Sequence, residues 1–316
     1  MRYSLLSRFR GVLVGSFLGE FLGTGGLYEP VLGNCSLKLP QLKESQSHPG
    51  LSGWSEIAAC GSESLIRCGR FDLEDWVNRC FAPEQSLQSP KATARSSEVA
   101  VAMLPIALFF HEDVVKLRRQ VLEAAAIWQH DAQISEGVLA MAYAISLALT
   151  EKLDCAGLIP QTIAYLGTSK TPLVQQLEKI QVLWEQGASL EATVTHLYRG
   201  FQRPNQLFTP VTDISIALAF YCFLDTPEDF RLCVSRASLS RYQSQMTATL
   251  CAALSGAYNS VLGIPVDWRL GANRLGIGIE RQQLADKLLA LWSGVYSISE
   301  QQQQQILSVA APREIR

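Results

Sequence analysis

Apolar residues along this chain recur at three- and four-residue spacing, and strict alternation is scarce. That period predicts helices rather than strands. The first helix is expected over residues 11–23, with Gly15, Gly19 and Gly23 four apart on one face. A stripe of that kind suits close approach of a second backbone. Residues 24–53 are rich in Gly, Pro, Ser and Lys and read as a long surface loop. A helix follows over 54–67 and stops at Gly69. Asp72 reads as the N-cap of the next one, with Asp75 three residues on. Residues 82–95 form a second polar loop, and helical text then runs over 99–110, 113–128 and 134–150. Further helices are expected over 173–186, after Ser189, after Thr226-Pro227-Glu228-Asp229, and over 243–262. In the last of these, Ala248, Ala252 and Gly256 form a second small stripe. No repeat of fixed period is visible. The expectation is one all-α domain of a dozen or so helices spanning 1–316. Residues 297–316 form a tail, in which the glutamines of 301–305 read as a solvated face.

Composition narrows this picture. Of 316 residues, 48% are hydrophobic and 18% charged, so the chain has enough apolar surface to order itself. Lys plus Arg (27) nearly balance Asp plus Glu (29), which leaves no excess cation for binding nucleic acid. The eight cysteines contain no C-x-x-C pair and lie mostly in apolar helical text. They read as small buried hydrophobes in a reducing compartment. Arg2, Arg8 and Arg10 precede the apolar run 11–23 in the manner of a signal peptide, but Glu20 interrupts it and no clean cleavage site follows. No stretch supplies the roughly 18–20 uninterrupted apolar residues of a membrane span. A cytoplasmic location without a membrane span is therefore expected.

Local motifs for common chemistries fail. Gly167-Thr-Ser-Lys170-Thr171 lacks the first glycine of a phosphate loop, and no strand is expected before it. Gly276-Ile-Gly278 has Arg281 where a dinucleotide fingerprint needs its third glycine. His48, His111, His130 and His196 are scattered, and no G-x-S-x-G surrounds a serine.

Four blocks, in order over residues 10–268, resemble the ADP-ribosylglycohydrolase family. Gly11 to Gly23, ending Gly19-Glu20-Phe21-Leu22-Gly23, is similar to that family's opening helix and its G-D-A-L-G. Glu63-Ser64-Leu65, then Gly69-Arg70-Phe71-Asp72-Leu73-Glu74-Asp75, resembles A-E-S-L … G-G-F-D-P-E-D. Ala102-Met103-Leu104-Pro105-Ile106-Ala107-Leu108, followed by His130-Asp131, resembles the M-R-x-A-P-I-G-L block and a later T-H. Thr247 to Tyr258 and Gly263-Ile264-Pro265-Val266-Asp267-Trp268 resemble A-A-x-A-G-A-L-x-G-A-Y … A-I-P-x-x-W. The resemblance implies an orthogonal, all-helical fold. It also implies a cleft in which two Mg²⁺ ions, held by T-D-D-T and G-D-T-D-T motifs, help remove ADP-ribose from its acceptor.

The ligand motifs themselves are altered. The T-D-D-T positions read Ser52-Gly53-Trp54-Ser55, and the G-D-T-D-T positions read Tyr242-Gln243-Ser244-Gln245-Met246. Neither 51–55 nor 238–249 contains an Asp or Glu, so no shift of register restores the acids. Four lost carboxylates, at roughly 4 kcal/mol for each close charge pair, leave no binuclear magnesium site. No cofactor is expected. The expectation is a catalytically inactive relative that binds a partner protein or a nucleotide-like ligand. Its remodelled, metal-free cleft would be lined by these residues, with Glu98 and His130 near. Trp54 would either stack a ring or fill the vacated cavity. The alternative is a metal-independent hydrolase with Glu20, Glu29, Glu56 or Glu98 as general base.

Overall fold

The computed structural model describes residues 3–24, 53–81, 94–128, 132–167, 171–199 and 213–295. Within them every regular element is a helix. In chain order they are α1 (Leu5–Gly23), α2 (Trp54–Cys68), α3 (Leu73–Cys80), α4 (Ser96–Ala102), α5 (Leu104–Phe109), α6 (Val114–Ala125), α7 (Ala132–Leu149), α8 (Leu158–Leu166), α9 (Pro172–Glu185), α10 (Leu190–Arg199), α11 (Ser215–Asp225), α12 (Phe230–Ser238), α13 (Ser244–Gly263), α14 (Val266–Arg274) and α15 (Ile277–Trp292). The loops expected at 24–53 and 82–95, the glutamine run and the tail fall almost wholly outside the described residues.

The local signals act as their chemistry requires. Asp72 accepts from Asp75 N at 3.1 Å and so starts α3, and Gly69 closes α2 in a left-handed conformation at φ 69°. Helix α1 begins at Leu5, ahead of the expected residue 11, with Ser4 as its N-cap, and two other boundaries also differ from expectation. The single helix expected over 99–110 is two, because Pro105 has no N–H to continue the ladder and the chain resets at Met103. Thr226 does not cap α12. Asp229 does, accepting from Leu232 N at 2.9 Å, and Thr226-Pro227-Glu228 forms a turn ahead of it.

The centre of the molecule is the pair α1 and α13, which lie against each other along their length. The two small-residue stripes face one another. A Cβ on Gly11 would sit 2.2 Å from Gly256 O, and one on Gly19 would sit 2.3 Å from Ala248 O. Beyond them, a Cβ on Gly23 would meet Gln245 Cα at 2.4 Å. No side chain fits between these backbones, and the approach holds the last turn of α1 against the first turn of α13. At the other end Arg8, almost fully buried, donates to the carbonyls of Ala148 (2.7 Å) and Ala257 (3.1 Å) and to Glu151 (2.9 Å). Helices α12, α11 and α7 cover α13, while α15 and α2 close the other side of α1. Helix α7 is long and apolar enough to cross a membrane by length and composition, although Gln133, Ser135 and Glu136 interrupt its apolar text. Of that stretch 78% is buried inside the fold. Its apolar surface is spent on α4, α6 and α13.

Candidate functional site

Five helix ends converge: the last turn of α1 and the first turns of α2, α4, α11 and α13. Glu20, on α1, is completely buried. It accepts a hydrogen bond from Ser55 Oγ, at the start of α2, and one from Gln245 Nε2 at 3.4 Å. The arrangement follows from the glycine stripe, since Gly19 and Gly23 let α1 press Glu20 against α13.

A second group lies one step along α13. The Gln243 amide is oriented so that its oxygen accepts from the Arg95 guanidinium (Nε at 3.2 Å) and its nitrogen donates to Ser215 Oγ (2.8 Å). Asp213 ties α4 to α11. It accepts from Ser97 N (2.9 Å), Ser96 Oγ (3.3 Å) and Ser215 N (3.0 Å). Neither Arg95 nor Asp213 was among the candidates drawn from sequence. Asp213 had a readable signal, an Asp just ahead of the apolar run 216–224 that satisfies orphan N–H groups as a cap does. Arg95 had none, because its partner is nearly 150 positions away. Arg241 and Gln243 both take left-handed backbone, at φ 57° and 40°. That conformation costs a non-glycine residue on the order of 1 kcal/mol.

The remaining candidates divide. Gly53 is the left-handed N-cap of α2 at φ 79°, and it offers no side chain. Trp54 is only 7% exposed and packs its ring 5.8 Å from Trp128. Ser244 opens α13. Glu98 is spent as a cap, accepting from Arg95 N at 2.8 Å. Glu56 points away toward α15, where it accepts from the buried Arg281 at 2.6 Å. Ser52, Glu29 and His130 lie outside the described residues. The buried His111 is elsewhere, held by Leu108 O at 2.7 Å, and its pKa is lowered by burial.

Tyr242 is half-buried, with its ring 6.3 Å from that of Tyr198. Burial, reinforced by Asp213, pushes its phenol up to about 12. Tyr165, also desolvated, is likewise pushed up to about 12. A pKa raised in the folded state stabilises the fold below the unfolded value near 10 and is lost as pH rises to about 12. Ultraviolet titration is expected to show two late-ionising tyrosines whose ionisation accompanies alkaline unfolding. Tyr242→Phe should remove one of them.

The opening helix and the long α13, with their interlocked stripes, carry the blocks singled out in the sequence. The profile of the ADP-ribosylglycohydrolase family matches residues 1–297. The chain belongs to the ADP-ribosylglycohydrolase family. Among solved structures it is similar to an "ADP-ribosylglycohydrolase-related protein complex". The match has 18% identity and a TM-score of 0.61, over 91% of this chain and 99% of the other. At that identity the likeness concerns the fold. No curated protein sequence matches.

The residues at the family's metal positions do not fit two magnesium ions. Magnesium takes near-octahedral oxygen ligands, with carboxylates to balance its charge. Here Gln243 and Gln245 are neutral, Gly53 has no side chain and Trp54 is apolar. The nearest described carboxylates, Glu20 and Asp213, already accept from protein donors. Arg95 adds a positive charge on the same side as Gln243. Among the described residues no group of three or more His, Cys, Asp or Glu is placed to hold a metal ion.

Proposed function

We propose that the protein is a non-hydrolytic member of the ADP-ribosylglycohydrolase family that acts by binding, and that its cleft takes a nucleotide-like ligand. The observation that carries this reading is the engagement of both glutamines. Gln243 is held between Arg95 and Ser215, and Gln245 bonds Glu20. Groups that hold metal in the family are here part of the protein's own hydrogen bonding. What faces outward is different chemistry. Arg95 is exposed and offers a fork of donors suited to phosphate, and the exposed Tyr198 beside Tyr242 offers ring surface for a base. Trp54 packs against Trp128 and fills space instead. A partner protein docking on 24–53 and 82–95 is the other binding mode. Seven described cysteines are free thiols, which supports a reducing, cytoplasmic setting for this proposal.

A second reading has one specific support, the buried carboxylate of Glu20 hydrogen-bonded to Ser55. Of the described acids read from the sequence as candidate bases, Glu56 is paired with Arg281 and Glu98 caps α4, which leaves Glu20 as the general base of this reading. Two measurements separate the readings. Peptides ADP-ribosylated on arginine or serine should release no ADP-ribose. Free ADP-ribose should bind, and Arg95→Ala should weaken that binding about tenfold, as loss of one charge-assisted contact does. Turnover that disappears in Glu20→Gln would establish the hydrolase instead.

A further inference from the structure

Helices α2 and α3 form an antiparallel hairpin joined rung by rung. Arg79 donates to Glu63 at 2.7 Å, and Asp75 accepts from Ser64 Oγ at 2.6 Å and pairs with Arg67. Trp76 is fully buried and lies so close that a Cβ on Gly61 would meet its ring at 2.2 Å. One turn on, Cys80 shares that face of α3. It too is fully buried, with its Sγ 3.7 Å from Ile57 O. Cys60, next to Gly61 and three residues from Ile57, lies at the same level of α2, so its thiol and that of Cys80 are neighbours across the hairpin. Cys60 is half-buried and so reachable from solvent.

We propose that Cys60 and Cys80 are a dithiol that a low-molecular-weight disulfide oxidises to an intramolecular disulfide in the folded protein, with Cys60 attacking first and Cys80 resolving. The Cys60 thiolate attacks one sulfur of glutathione disulfide, forms a mixed disulfide and releases one glutathione. Cys80 then loses its proton to solvent and attacks the Cys60 sulfur, which releases the second glutathione. Two protein thiols are oxidised and one disulfide is reduced. The hydrogen bond from Cys80 lowers the pKa of Cys60, while that same bond and burial raise that of Cys80. Cys80 is fully buried and Cys60 is not, and this difference in access, with the acidity in the same sense, makes Cys60 the first nucleophile. The cross-link would clamp α3 to the helix whose first turn carries Trp54 and Ser55.

A second thiol pair serves as an internal control. Cys233 and Cys251 also touch, but both are fully buried. The native full chain, reduced and then exposed to glutathione disulfide, is mapped by non-reducing peptide mass spectrometry. The expected result is a Cys60–Cys80 linked peptide, with Cys233 and Cys251 still reduced. Cys80→Ser should retain glutathione on Cys60, and Cys60→Ser should form no link to Cys80. The wild-type map needs no variant to fold. Absence of the linked peptide while Cys68 or Cys155 is modified would overturn the proposal, and so would Cys60 joined to any other cysteine.

Discussion

Gly256→Ala is expected to prevent folding, or to lower the unfolding free energy by more than about 4 kcal/mol, well beyond an ordinary substitution. A methyl there would stand 2.0 Å from Gly11 O and 2.4 Å from Gly11 C. Both contacts are to backbone, so no rotamer change relieves them. The helices must separate by an ångström or more, and every side chain packed across α1 and α13 then loses its neighbours. Gly11→Ala should behave alike, for the reciprocal reason. Leu262→Ala is the control: it lies beyond the break at Ser260 near the end of α13, is 63% exposed, and should cost less than about 0.5 kcal/mol. Thermal and urea unfolding of the three variants would check this. A Gly256→Ala protein as stable as wild type would show that α1 and α13 do not meet as described.

The second large effect concerns the buried Glu20. Gln245→Glu replaces an amide donor to the buried Glu20 with a second carboxylate. Two carboxylates at that range repel by up to about 4 kcal/mol at an effective dielectric near 20. Repulsion raises the folded-state pKa of the pair above the unfolded value of about 4.3. Groups raised in this way favour the fold below the unfolded pKa, and that support is lost as pH rises through the folded one. The variant should thus approach wild-type stability near pH 4 and fall well below it at pH 7. Denaturant midpoints at the two pH values would show it. A variant equally stable at both would mean that residue 245 and Glu20 do not face each other.

The extent to which the sequence revealed this architecture depended on the kind of signal. The glycines of α1 and the small residues of α13 were each readable as close-approach stripes, because a small residue every fourth position has few other uses. That the stripes face each other, Gly11 to Gly256, is a tertiary fact no local pattern contains. Helix α11 was missed because residues 216–224 are apolar all round and set no polar face from which to take a period. The break at Met103 was announced by Pro105 but lost in continuous apolar text.

The candidate site was readable where it depended on identity and unreadable where it depended on distance. Uncharged residues at 53, 54, 243 and 245 were plain from the sequence. That Gln243 meets Arg95 and Gln245 meets Glu20 required the fold. Glu56 and Glu98 looked available because sequence does not show that Arg281 and the Arg95 backbone already hold them.

Isothermal titration of the purified full chain with magnesium chloride tests the central claim most directly. With Gln243 and Gln245 neutral and engaged, and Arg95 adjacent, no saturable heat is expected up to millimolar metal. Stoichiometric binding of two ions at micromolar concentration would contradict the account.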